Sequence, residues 1–287
     1  MSGPIWRMSR FAIDLARPRV MGIVNVTPDS FSEGGAALST AQAIARCEQM
    51  LVEGADILDI GGESSRPGAL PVSAEEELAR VRPVLTAAVS LGVPVSIDTT
   101  KVEVMRVALD LGVDIVNDIA ALRTPGAIDV VAAHPTCGVC LMHMRGTPRS
   151  MQAEAVYDDV AAQVMAFLRE RIDAAGAAGI GRERIVADPG IGFGKTPEQN
   201  LELLARQEAL LTLGVPLLVG WSRKSTLARL AGVPAPATER SADERARVAA
   251  ASVAAAVIAV ERGARIVRVH DVAATVAALA VWRGARR

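Results

Sequence analysis

Eight short apolar segments rich in β-branched residues recur along the chain, at residues 20–25, 56–61, 94–98, 114–117, 139–143, 184–188, 215–220 and 265–270. Stretches of helical periodicity separate them, as at residues 40–53, 74–90 and 157–174. Continuous apolar strands that alternate with amphipathic helices make a parallel sheet covered by helices. Eight such units within about 250 residues suit a closed barrel better than an open doubly wound sheet. The expected fold is therefore α/β, a single-domain (β/α)8 TIM barrel, and 287 residues can bury the core it needs. Glu53-Gly54-Ala55, Leu91-Gly92-Val93, Leu111-Gly112-Val113, Leu213-Gly214-Val215 and Arg262-Gly263-Ala264 repeat one junction. Glycine just past a helix enters the left-handed region without a Cβ penalty, so each reads as a helix stop ahead of a strand. The barrel is assigned to residues 20–283 and an extension covering it to residues 1–19. No linker divides the chain, and residues 232–240 read as a surface excursion before the last long helix.

Composition narrows the partners. A net charge of −1 gives no global basic field, and 3% aromatic residues are too few for a base-stacking surface. No nucleic-acid or membrane partner is expected, and small molecules remain. The apolar stretch at residues 248–260 is too short to span a bilayer and reads as a buried helix. The N-terminal residues show no secretory pattern, and Cys47, Cys137 and Cys140 make no disulfide framework, so a cytoplasmic protein is expected. Cys137 and Cys140 have redox-motif spacing but lead into an apolar strand, where small core thiols are the simpler reading.

The polar residues cluster by position. Almost every strand ends at its C-terminal side in one: Asn25, Glu63 to Arg66, Asp98, Asn117, His143, Asp188, the Ser222-Arg223-Lys224 loop, and Arg268 with His270. Active sites of this barrel lie at that mouth. Asp98, Asn117, Asp188 and Lys224 combine carboxylates, an amide and an ammonium, which suits a flat heterocycle with an amidine-like edge. Asn25, Arg66, Arg268 and His270 come from strands that close on each other and resemble an anion site for a diphosphate. The Asn25 side-chain oxygen is also an acceptable Mg²⁺ ligand beside phosphate oxygens. Taken singly, other readings stand: Asp98 could cap the following helix, and Arg268 and His270 could pair with Asp271. His134 reads as a helix-end residue, and period two puts Met142 and Met144 on one face of their strand and His143 on the other.

The motifs themselves are similar to a known family. Residues 21–32, Met-Gly-Ile-Val-Asn-Val-Thr-Pro-Asp-Ser-Phe-Ser, resemble the first signature of dihydropteroate synthases, and residues 59–68, Asp-Ile-Gly-Gly-Glu-Ser-Ser-Arg-Pro-Gly, resemble their second. Collinear matches follow at residues 96–99, 117–118, 140–144, 188–195, 220–225 and 268–270. The resemblance implies one pterin-binding barrel domain that condenses (7,8-dihydropterin-6-yl)methyl diphosphate with 4-aminobenzoate, giving 7,8-dihydropteroate and diphosphate in folate biosynthesis. It implies a sulfonamide target.

It implies a pterin pocket of Asp98, Asn117, Met142, Asp188, Phe193, Gly220 and Lys224. A diphosphate site of Asn25, Ser65, Arg66, Arg268 and His270 follows, with Mg²⁺ near Asn25. The aminobenzoate is expected under loops 27–35 and 64–68, among Phe31, Glu33, Ser65, Pro67, Phe193 and Ser222. Ser222 is expected to open a helix and meet the carboxylate there. Asn25, Arg66, Lys224, Arg268 and His270 are the catalytic set. Glu33 stands where the family usually has Asp, Ser65 where it has Thr, and Trp221 is a bulky neighbour expected to shape the mouth. A homodimer is implied, through the Ala- and Val-rich residues 249–260. A pterin-binding methyltransferase would not need both anion motifs; a binding paralogue and an unrelated phosphate-handling barrel complete the alternatives.

Overall fold

The computed structural model describes residues 4–27, 39–66, 68–234 and 240–286. An antiparallel hairpin, β1 (Ile5–Met8) and β2 (Phe11–Asp14), precedes the barrel. The barrel follows as β3 (Arg19–Asn25), α1 (Thr40–Val52), β4 (Ile57–Gly61), α2 (Ala74–Val89), β5 (Val95–Asp98), α3 (Val102–Asp110), β6 (Ile115–Asp118), α4 (Ala127–Ala133), β7 (Gly138–Met142), α5 (Val160–Ala177), β8 (Ile185–Asp188), α6 (Pro197–Ala205), β9 (Leu218–Val219), α7 (Ser225–Leu230), α8 (Ala242–Glu261), β10 (Ile266–Val269) and α9 (Val272–Gly284).

The eight parallel strands run in the order β8-β7-β6-β5-β4-β3-β10-β9, and an Ala187–Leu217 bridge joins β8 to β9 and closes the ring. Every expected strand is present, although the segment at 215–220 shrinks to two residues. Pro216 has no N–H for the ladder, and the Leu217 carbonyl accepts from both Arg265 and Ile266, which shortens the pairing there. The junction glycines Gly54, Gly92, Gly112, Gly214 and Gly263 all have positive φ, from 69° to 97°, as a helix stop requires.

Strand alternation sorts the core into two layers. Val20, Val24, Leu58, Ile60, Ile97, Val116, Leu141 and Val267 pack outward against the helices. Met21, Ile57, Ile115, Cys140, Val186, Leu218 and Ile266 fill the barrel interior at its N-terminal end. The hairpin plugs that end. Trp6 is fully buried against those residues and donates its indole N–H to the Arg184 carbonyl at 2.9 Å. Arg10 binds the buried Asp114 at 2.7 Å, which fixes the plug to the strand ends. With the bottom filled, the interior is open to a ligand only at the C-terminal mouth.

Candidate functional site

Period two decides which polar residues face the interior. Asn25, Asn117, Met142, Asp188, Gly220, Arg268 and His270 stand two or four residues beyond the filled layer on their strands and so share its face, and Asp98 stands two beyond the buried Ser96. Asp59 stands there too, although sequence reading passed over it. It is fully buried, and it accepts from Arg268 Nε at 2.6 Å and from the Asn117 amide at 3.3 Å. Arg268 Nη2 reaches Asp98 at 2.6 Å. A guanidinium between two carboxylates, with an amide on the inner one, thus forms the floor of the mouth. The available signal was a lone carboxylate in the middle of an otherwise apolar strand.

This geometry removes two alternatives. Asp98 does not cap the next helix, because Lys101 is the N-cap of α3 and no side chain caps it. Asp271 pairs with Arg223 at 2.6 Å, leaving Arg268 to the interior. Three expectations need correction. His143 faces outward and stacks edge-on against Phe167 at 4.9 Å, so it leaves the ring of mouth residues. Trp221 is buried in the strand–helix layer and does not shape the mouth. Ser222 does not open a helix: Arg223 has φ 59°, Lys224 is the N-cap, and α7 begins at Ser225. A tight turn intervenes because Lys224 N–H bonds back to the Trp221 carbonyl at 3.2 Å.

Ser222 is instead tied to His270. The His270 backbone N–H donates to Ser222 Oγ at 3.1 Å, and Oγ lies 3.0 Å from His270 Nδ1. With the hydroxyl donating to Nδ1, the ring would carry its own proton on Nε2. Burial, then Arg223 and Arg268, hold this histidine well below its ordinary pKa, and it is neutral. Arg66 is exposed on the loop after β4, close enough that its charge also acts on His270 and Lys224. Ser65 precedes it, half-buried. Phe31, Glu33 and Pro67 lie outside the described residues.

Desolvation dominates the remaining charges. Burial pushes Asp98 up to about 7 against the pull of Arg268, and it pushes Asp188 up to about 6 although the Gly190 N–H bonds it at 2.7 Å. Burial and the nearby Arg268 lower Lys224 to about 8. Lys224 Nζ sits 4.0 Å from the centre of the Phe193 ring, which places the aromatic wall beside the ammonium. A Cβ at Gly220 would meet nothing closer than Arg268 Cβ at 4.0 Å, so the absent side chain leaves an open slot. Met142 lines one side in a cluster with Ile119, Met144 and Met151, with Phe193 packed against it. Cys137, Cys140 and Cys47 are free, buried thiols whose pKa burial raises, and they take no part. His134 ends α4, where its Nδ1 accepts from the Cys137 N–H at 3.1 Å.

Known proteins share this fold at high identity. The pterin-binding enzyme family matches residues 21–270. Dihydropteroate synthase of Neisseria meningitidis serogroup B is 50% identical over 287 residues, covering 98% of each chain. The chain belongs to the dihydropteroate synthase family. Dihydropteroate synthase of Xanthomonas albilineans with 4-aminobenzoic acid superposes with a TM-score of 0.89 at 48% identity, over 100% of this chain and 99% of that one. The same enzyme has been solved with 7,8-dihydropteroate. The Yersinia pestis dihydropteroate synthase, solved as a sulfonamide drug complex, gives a TM-score of 0.90 at 43% identity, over 98% and 99%. The reaction expected from the sequence is therefore the reaction of the family, transfer of a pterin methylene from diphosphate to the amine of 4-aminobenzoate. No helix among the described residues is long and apolar enough to cross a membrane.

Proposed function

We propose that the floor of the mouth carries this condensation with Asp98, Asn117, Asp188 and Lys224 on the pterin and Asn25, Arg66, Arg268 and His270 on the diphosphate. The observation that carries the reading is the Asp59–Arg268–Asp98 arrangement, which couples one sub-site to the other. The pterin enters the slot left by Gly220, its edge N–H groups facing the Asp188 and Asp98 carboxylates, with Met142 and Phe193 on its faces. Arg268 spends Nε and Nη2 on carboxylates, leaving Nη1 for the diphosphate. His270 serves as a neutral Nε2–H donor, oriented by Ser222.

The methylene C–O bond breaks and its electron pair leaves on a diphosphate oxygen, while positive charge spreads into the pterin ring. The lone pair of the arylamine forms the C–N bond, and the amine loses its proton to solvent or to the departing diphosphate. No covalent nucleophile is needed. Arg66, Arg268 and His270 stabilise charge that grows on the leaving group, and Lys224 holds the ring in place. Phe193, Ser65 and Ser222, with Phe31, Glu33 and Pro67 from outside the described residues, bound the aminobenzoate, and sulfonamides occupy the same place.

Asn25 is the residue to hold Mg²⁺. Its half-buried amide makes no hydrogen bond among the described residues, and no cluster of three or more His, Cys, Asp or Glu there could cage a metal. One hard oxygen fits a cation that keeps its waters and rides on phosphate oxygens. Bound there, Mg²⁺ would neutralise the leaving diphosphate.

The whole molecule acts as one pterin-binding domain that pairs into a homodimer in the cytoplasm. Ala246, Ala250, Ala254 and Ile258 are exposed at four-residue spacing on α8, and Val281 is 74% exposed on α9 beside it, an apolar face that supports pairing. A monomeric mass by light scattering at micromolar protein would remove the dimer. Three unpaired buried thiols agree with a reducing compartment.

The deciding experiment follows diphosphate release from the pterin diphosphate with Mg²⁺ and 4-aminobenzoate, each omitted in turn. Release that needs the two substrates, with dihydropteroate in step, supports the assignment; binding without release would leave a pterin-binding paralogue. Gly220→Val should fold normally, since the slot is open, yet lose about 100-fold in pterin affinity by filling it; unchanged affinity in calorimetry would move the pterin elsewhere. Affinity for the pterin should also depend on pH. Protonation removes the charged acceptors, so binding should be firmest between about pH 7 and 8, weaken as pH falls through about 7 and then 6, and weaken again above about 8 as Lys224 loses its proton. A flat titration from pH 8 to 5 would exclude the two carboxylates from recognition.

A further inference from the structure

The loop that leaves β4 carries Ser65 and Arg66, and four charged residues outside the reaction itself fasten it. Glu63 Oε1 accepts the Val72 N–H at 3.0 Å, which ties the start of the loop to its end. Glu63 Oε2 accepts from Lys101 Nζ at 2.6 Å, and the same ammonium reaches Glu77 Oε2 at 2.6 Å. Glu77 lies on α2, fully buried, and its Oε1 has no hydrogen-bond partner among the described residues. Among the described residues, Lys101 is the cation paired with that carboxylate. Arg80, also on α2, donates to the Gly62 carbonyl at 2.7 Å and holds the root of the loop from the outside.

Lys101 in turn belongs to the turn that follows Asp98. Its N–H donates to Thr99 Oγ1 at 3.2 Å, and the Thr99 N–H donates to the Asn117 carbonyl at 3.1 Å. The clasp therefore joins the loop of Arg66 to the strand ends that present Asp98 and Asn117. The two ends of one substrate would have to be gripped from these two places at a fixed separation.

We propose that Glu63 is a positioning residue, setting where Ser65 and Arg66 stand over the mouth relative to Asp98 through its paired bonds to Val72 and Lys101. The proposal rests on the assignment of Arg66 to the diphosphate. Glu63 touches no substrate. It acts by fixing the backbone of its neighbours, and it can be removed while Lys101 keeps Glu77.

Glu63→Ala tests it. The KM for 4-aminobenzoate should rise and kcat fall, together costing about ten- to a hundred-fold in kcat/KM. Calorimetric affinity for inorganic diphosphate should drop in parallel, whereas affinity for a pterin lacking diphosphate and the melting temperature should stay near wild type. Glu63→Gln keeps an acceptor for the Val72 N–H and should recover part of the loss. Unchanged kinetics and diphosphate affinity in Glu63→Ala would overturn the proposal. Equal loss of bare-pterin affinity with a lower melting temperature would overturn it as well, by showing a general structural role. Wild-type protein that binds diphosphate but releases none would defeat the reaction and leave the clasp to be judged on diphosphate binding.

Discussion

Arg268→Ala is expected to lower the melting temperature by about 6–12 °C and to abolish turnover. The guanidinium is the direct cation for Asp59, which is fully buried, and it bonds Asp98 as well. Removing one partner of such a group strands charge inside the barrel. The loss is about 3 kcal/mol, at the low end for buried pairs because Arg268 keeps 19% exposure at the mouth. A chain of this size loses about 2–4 °C per kcal/mol. The functional consequence reaches beyond the diphosphate. Sequence alone expected the substitution to weaken diphosphate binding far more than binding of a bare pterin. The contact with Asp98 changes that expectation, because a freed Asp98 loses both its orientation and the cation that favours its ionised form. Both ligands should bind more weakly, and Arg268→Lys, which keeps charge without the fork, should recover less than half. Wild-type melting together with wild-type affinity for the bare pterin would show that the arrangement matters for neither.

The second large effect is expected at Lys195, which the sequence places at the end of the 188–195 match without a role in the site. Its side chain is 2% exposed, and Nζ lies 2.9 Å from the Gly190 carbonyl, 3.0 Å from the Phe193 carbonyl and 2.9 Å from His143 Nδ1. The ammonium gathers the turn that carries Phe193 to the strand beside it. Two opposing terms meet here. Burial makes the ammonium costly and lowers it to about 7, so its loss relieves that cost, yet Lys195→Met takes the donor from the Phe193 carbonyl and His143 Nδ1 at about 1–3 kcal/mol each, while the Gly190 carbonyl keeps the Phe193 N–H at 3.0 Å. The net expectation is about 2 kcal/mol of lost stability. Activity should suffer more, because Phe193 would no longer be held beside Lys224; a fall of about 100-fold in kcat/KM is expected. A variant with wild-type kcat/KM would show that the turn holds its shape unaided. Gly190 adds to its rigidity: at φ 68°, a Cβ would lie 1.8 Å from the His143 carbonyl oxygen.

Much of this was legible beforehand because it depends on local rules. The strand count followed from apolar segments and the junctions from glycine, and both depend on a few neighbouring residues. Period two separated His143 from Met142, and in the structure His143 packs outward on α5 while Met142 lines the mouth. The hairpin of β1 and β2 escaped notice because its strands are four residues each and gain stability only by plugging the barrel. Ser222 was misplaced because a left-handed arginine, Arg223, delays the helix, and nothing in a non-glycine sequence announces such a residue.

The sequence by itself therefore determined a barrel, its mouth and the chemical types gathered there, since alternation and strand order assign side chains to a face regardless of partners. Only the tertiary structure decided which charges meet. Asp59, Asp98 and Arg268 come from strands 39 and 170 residues apart along the chain, Asp59 to Asp98 and Asp98 to Arg268. Their pairing depends on barrel closure, where a bond a few ångströms long outweighs any distance in sequence.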